Sequence, residues 1–259
     1  MIRNIVTLSL AASLLAGCGV LNRSRPTTPT VGERVSVLAT DPDVQVDPVT
    51  AALPFALPAP VANDSWSQPG ATPSKSVGHL ALGAALNPAW SISIGQGSSL
   101  DARLASAPVV ANGTVYTIDT TATVRAFDAQ SGAQRWAAQF GTERGNSASL
   151  FGGGVAVEGG RVYATNGLGF VVALDASNGA QLWQVRPGGP LRGAPTVAGD
   201  TLYVMSQDNQ LYSLKTADGA TNWSATAAVE IAGVFGTAAP AFAQGTVVAG
   251  FSSGELNAY

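Results

Sequence analysis

The chain is poor in the side chains that usually carry chemistry: 259 residues include one cysteine and one histidine, and only 11% are charged. A lone cysteine excludes an intrachain disulfide and any multi-cysteine metal site. The sole histidine, His79 in "SVGHLAL", has no cysteine or carboxylate pattern beside it, so no metal ligand set is expected. Thirteen Lys and Arg against 16 Asp and Glu give a formal charge of −3 without a basic cluster, which excludes the phosphate-neutralising surface that nucleic-acid binding requires. There is no nucleophile elbow, and "FGGGVAVEGG" (151–160) lacks the lysine and the strand–loop–helix context of a phosphate loop. Catalytic residues, metals and cofactors are therefore all expected to be absent. What the chain does have is 46% apolar residues and 30 glycines, the composition of a folded, turn-rich protein.

The one cysteine stands directly after an apolar run, "MIRNIVTLSLAASLLAGCG". Arg3 supplies a positive start, and residues 5–15 are too few for a permanent membrane-spanning helix. "LAGC" (15–18) resembles a bacterial lipobox. That resemblance makes 1–17 a lipoprotein signal peptide and Cys18 the lipid attachment point, with an ordinary secretory signal and an incidental cysteine as the alternative. Gly19, in place of Asp, implies delivery to the outer membrane. Nine of the 15 prolines follow between residues 26 and 73, so 18–75 reads as an extended tether. Within it "ERVSVLATDPDV" (33–44) alternates like a short strand, docked on the main domain or on a partner.

From residue 76 onward the expected domain is repetitive. Trp90, Trp136, Trp183 and Trp223 are spaced by 46, 47 and 40 residues, a period that signals a propeller or solenoid. "DAQSGAQRW" (128–136), "DASNGAQLW" (175–183) and "KTADGATNW" (215–223) mark the same turn three times. Each unit carries β-branched and aromatic runs bounded by Gly, Asn, Asp and Ser, and Asn112-Gly113 suits a type I′ hairpin. No helical period appears in the repeat. The prediction is an all-β fold, a β-propeller of four-stranded antiparallel blades, because one blade cannot bury both its faces. The turn should end each third strand, and the four tryptophans should pack between blades rather than stack on a ligand.

The fourth unit, "AAPAFAQGTVVAGFSSGELNAY" (238–259), aligns with the first up to Phe127, so about three and a half blades are present. Rings use roughly four to eight blades. An open arc would leave an unpaired edge, and the expectation is a piece of a longer protein.

These features together resemble the BamB-type lipoproteins of the outer-membrane β-barrel assembly machinery. The residues that carry the resemblance are "LAGC", "AWSISIGQG" (89–97), "GGVAVEGGRVYATN" (153–166), the three Gly-Ala-x-x-Trp turns and "GTAAPAFAQGTVVAGFSSGELNAY" (236–259). The resemblance implies an eight-bladed quinoprotein-like propeller. It also implies a non-enzymatic scaffold, lipid-anchored to the periplasmic face of the outer membrane, that binds the periplasmic domains of the barrel-inserting subunit. The family loop that carries contacting Leu and Arg corresponds to residues 230–236, placing Val234 and Phe235 at those positions. Arg192 in "PLRGAP" is a further candidate by local likeness, one unit earlier. Two alternatives stay open: a lipid-anchored ligand-binding or sensory propeller, and a pyrroloquinoline-quinone-dependent dehydrogenase. The dehydrogenase would need calcium ligands and, in the typical family, adjacent cysteines. Asp119, Asp128, Asp175 and Asp208 instead recur at turn positions, where Asp satisfies local N–H groups.

Overall fold

The computed structural model describes residues 46–100, 102–142, 152–229, 236 and 238–259. The chain divides into two units, Met1–Phe55 and Ala56–Tyr259. In the first, Asp47 caps one helical turn, α1 (Pro48–Ala51), its Oδ1 accepting the Val49 N–H at 3.0 Å. Pro48 fits the first helical position because no N–H is needed there. Cys18 and the alternating stretch 33–44 lie outside the described residues.

The second unit is built of four antiparallel meanders, the sheets of successive propeller blades. The first comprises β1 (Val109–Ala111), β2 (Thr114–Ile118), β3 (Thr123–Asp128) and β4 (Gln134–Gln139). The second comprises β5 (Gly153–Glu158), β6 (Arg161–Asn166), β7 (Val171–Asp175) and β8 (Gln181–Val185). The third holds β9 (Thr196–Ala198), β10 (Thr201–Met205), β11 (Gln210–Lys215) and β12 (Thr221–Thr226). β13 (Ala241–Ala243), β14 (Thr246–Gly250) and β15 (Leu256–Ala258) make a three-stranded fourth sheet. Three full blades and one partial blade thus appear where the repeats predict them.

Local chemistry sets the register. Asn112 and Gly113 have φ of 49° and 67°, the left-handed pair that a two-residue type I′ hairpin needs, and they close β1 on β2 with Ala111 facing Thr114. Each full blade also carries a bulge that the sequence does not announce. Pairing shifts between Ala126 and Phe127, between Ala173 and Leu174, and between Ser213 and Leu214. Arg135, Leu182 and Asn222 are the extra residues, each directly before a tryptophan, and the added twist turns that side chain toward the next blade.

The core lies between blades. Val109, Tyr116, Val124 and Trp136 of the first sheet pack with Val155, Val162 and Leu174 of the second. Tyr163, Val171 and Ala173 then pack with Val197, Leu202 and Leu214 of the third. Tyr203 and Leu211 pack with Val247 and Ala249 of the fourth. Every sheet between two neighbours therefore buries both faces, and strand patterns such as β6, buried from Val162 to Asn166, lose the alternation of a one-sided sheet.

The tether boundary expected at residue 75 requires correction, because Ala56–Tyr259 form one compact unit. Residues 66–73 cross the innermost strand of every blade. Trp66 and Val110 exchange backbone bonds of 2.7 and 2.8 Å, and the Val157 N–H donates to Ser67 O at 2.7 Å. The Gln68 side chain bonds Val197, and the Phe242 N–H donates to Pro73 O at 2.8 Å. Proline richness suggested an extended solvated chain, but the backbone edges of β1, β5, β9 and β13 supply partners for it.

Candidate functional site

Three of the four tryptophans singled out by the repeat make the same directional contact with the following turn. The indole Nε1 of Trp90 donates to Ala129 O, that of Trp136 to Ala176 O and that of Trp183 to Thr216 O, each at 3.0 Å. Each acceptor immediately follows the third strand of the next repeat, inside its Asp- or Lys-initiated turn. The glycine of that same turn lies under the indole. A Cβ built on Gly132, Gly179 or Gly219 would stand 2.8, 2.6 or 2.9 Å from the rings of Trp90, Trp136 and Trp183 respectively. All three glycines have φ between 73° and 76°, so the turn needs glycine both for its backbone and for the ring above it. Trp223 is 38% exposed and meets the rings of Tyr203 and Tyr259 at 6.1 and 5.9 Å.

The turns themselves are locally satisfied. Asp128 accepts from the Ser131 N–H at 2.8 Å and from Arg135 at 2.7 Å, and the Arg135 hydrogen bond holds its carboxyl well below the usual range. Asp175 accepts from the Ser177 hydroxyl and N–H, which lower it in the same sense.

At the opposite end of the sheets, the hairpins between second and third strands stand beside the links that join blades. Asp119, 3% exposed, accepts Arg125 Nη1 at 2.7 Å and the N–H groups of Thr121 and Thr123 at 2.9 and 3.0 Å. Burial works to raise its carboxyl, but the bonds from Arg125 and Thr121 outweigh this, and the pKa lies below the ordinary value. Arg125 also donates to Ile94 O at 2.6 Å, and the Gln96 N–H reaches Asp119 at 3.3 Å, fixing the stretch after Trp90 on the first blade. Asn166 repeats the arrangement one blade later, accepting from Leu168 and Phe170 N–H and donating to Gly141 O at 3.2 Å. Asn209 donates to Ala228 O at 2.6 Å and accepts from Ser252 N–H at 3.0 Å.

Of the sequence-predicted partner residues, Arg192 lies at this end. Arg192 is half-buried in the link between β8 and β9, where its carbonyl accepts the Gly153 N–H at 3.0 Å and burial lowers its guanidinium pKa. Val234 and Phe235 fall in the link between β12 and β13, outside the described residues. Arg192 is thus one blade junction away from that link, and the structure does not bring it to the inter-blade tryptophans. His79 lies elsewhere, with Nδ1 2.7 Å from Pro58 O. Sequence reasoning missed Trp66, Gln68 and Lys75; the one available signal was an aromatic residue and "QPG" inside a tract otherwise read as tether.

The recurrent aspartates are committed to local partners. Asp119, Asp128 and Asp175 spend their oxygens on turns, and Asp208 accepts from Ser206 Oγ and, at 3.0 Å, from Gln210 Nε2. Among the described residues no three His, Cys, Asp or Glu side chains gather closely enough to share a metal ion.

Comparison with known proteins places the chain. It is 29% identical over 155 residues to the outer membrane protein assembly factor BamB of Moranella endobia strain PCIT. That alignment covers 58% of this chain and 40% of the relative, so the chain spans well under two thirds of the protein it matches. Among solved structures, BamB from Moraxella catarrhalis aligns at a TM-score of 0.48 and 21% identity, over 61% of this chain and 50% of that one. The quinohemoprotein alcohol dehydrogenase from Comamonas testosteroni aligns at 0.52 and 21%, over 62% of this chain and 27% of that one. A likeness at that level is one of fold and carries no activity with it. The sequence model described as outer membrane protein assembly factor BamB matches residues 83–152 and 120–259, more than half of the chain, and the chain belongs to that family.

Proposed function

We propose that the protein is a non-enzymatic scaffold in outer-membrane β-barrel assembly, binding the periplasmic domains of the barrel-inserting subunit. The family match over residues 83–259 carries this reading, supported by the relative named as an assembly factor. Partner contact is assigned to the end of the blades where the inter-blade links emerge, with Val234, Phe235 and Arg192 as its residues. A loop end presented by rigid blades suits recognition, because the links vary without disturbing the packed faces. Cys18 is the proposed lipid attachment point, holding the propeller at the periplasmic face of the outer membrane. No helix among the described residues is long and apolar enough to cross a membrane, a statement that does not extend to β-barrels.

The test is a detergent pull-down from outer membranes with the tagged natural reading frame. Recovery of the barrel-inserting subunit, lost in Phe235→Glu, supports the scaffold. Recovery of no barrel-assembly component overturns it in favour of a ligand-binding or sensory propeller. Loss of metabolic lipid labelling in Cys18→Ser tests the anchor separately.

A further inference from the structure

The innermost strand of a propeller blade has a sheet neighbour on one side only, so its other edge presents unpaired backbone groups. Val110, Val157, Val197 and Phe242 occupy the same place in the four repeats, each two positions before the first hairpin residue. All four N–H groups of this row are satisfied by one short segment. Val110 donates to Trp66 O, Val157 to Ser67 O, Val197 to Gln68 Oε1 and Phe242 to Pro73 O, at 2.8, 2.7, 3.2 and 2.8 Å. Two carbonyls of the row are also used, Val110 O by the Trp66 N–H and Val197 O by Gln68 Nε2. One segment meeting four equivalent positions, 132 residues apart from first to last (Val110 to Phe242), is not a pattern that a solvated linker produces by local preference.

We propose that residues 66–75 are an internal strap across the innermost strands, closing their free backbone edges to added strands. The segment is shaped for the task. Gly70 and Ala71 hold φ of 78° and 65°, curling the chain between its contacts at Gln68 and Pro73, and Lys75 holds 59° just beyond them. Gln68 is 1% exposed and Ala71 is 7% exposed, burial that a tether does not have. A Cβ on Gly70 would stand 2.8 Å from Lys75 Cδ, so the curl is closed on itself. The strap is a property of residues 56–259 and does not depend on the identity of any partner.

Residue-resolved hydrogen exchange on the full chain tests it. The amides of Val110, Val157, Val197 and Phe242 should exchange at least about 100-fold slower than unstructured amides, since edge groups without a partner open freely. Gln68→Met, which keeps side-chain length and removes the amide, should accelerate Val197 by about tenfold or more. Trp66→Pro, which removes the N–H that donates to Val110 O and restricts the backbone around it, should accelerate Val110 and Val157 together. Amides in the β2–β3 and β6–β7 ladders should stay protected in both variants, which separates strap release from global unfolding. Free-chain exchange at the four amides in the unmodified protein, or unchanged exchange in both variants, would overturn the strap.

Discussion

The side chain of Gln68 pairs with the backbone of Val197, 129 residues away, as a neighbouring strand would. Nε2 donates to the carbonyl at 3.1 Å and Oε1 accepts the N–H at 3.2 Å. Both residues are buried, at 1% and 0% exposure, so neither backbone group finds water when the amide is removed. Gln68→Ala is expected to cost about 2–4 kcal/mol, from unsatisfied buried groups at about 1–3 kcal/mol each. Urea unfolding checks this; a loss below about 0.5 kcal/mol would show that the pairing contributes little.

The tryptophan contact gives a prediction with its own control. Gly179→Ala pushes a methyl to within 2.6 Å of Trp136 at a φ of 76°, whereas Gly113→Ala, at a φ of 67°, meets open space. Backbone strain alone costs about 1 kcal/mol. Overpacking adds about 1–3 kcal/mol, so the Gly179 variant should lose at least twice as much as the Gly113 variant. Equal losses in thermal unfolding would mean that Trp136 yields freely.

Asp119 links stability to acid. Its folded pKa lies below the unfolded value, despite burial, because Arg125 and the Thr121 and Thr123 groups favour the charged form. The unfolded chain therefore binds the proton first as pH falls. The stabilisation is fully present above about pH 4 and is lost as pH falls through the folded pKa. Asp119→Ala should cost about 3 kcal/mol at pH 7, since Arg125 is left without its partner in a site only 19% open at that side chain. It should also flatten the acid limb of the stability profile; an unchanged acid limb would assign that limb to other carboxylates.

Lys75 acts in the opposite pH range. Burial pushes its amine down to about 8, and among the described residues its hydrogen-bond partner is the neutral Gln68 Oε1 at 3.4 Å. The unfolded amine, near about 10.4, holds its proton longer. Between those values the unfolded state binds more protons, so stability should rise as pH increases from about 8 to about 10. Lys75→Met should raise the melting temperature at pH 7 and remove that rise. A wild-type profile flat across the window would show that the amine stays hydrated.

Residues whose roles are local were readable in the sequence. Asn112-Gly113, the Asp-x-x-x-Gly turns and the tryptophan spacing each encode a φ, a turn or a packing face within a few neighbours. Their recurrence specified the blades. The forward reach of Trp136 to Ala176 was not readable, because a spacing does not say which neighbour a ring faces. The bulges at Arg135, Leu182 and Asn222 escaped notice because one extra residue leaves the apolar pattern nearly intact. The strap was misread because proline-rich composition describes chain stiffness, while the partners of Trp66 and Gln68 lie far along the chain.

The forward contact of each tryptophan also defines what one repeat is. Cutting the chain at strand boundaries would separate Trp136 from Gly179 and Ala176, whereas a block running from one tryptophan to the residue before the next carries one ring out and one receiving turn in. A duplication or deletion of residues 136–182 would therefore leave each remaining tryptophan with a matching turn. The tryptophans thus mark the seams at which these contacts repeat.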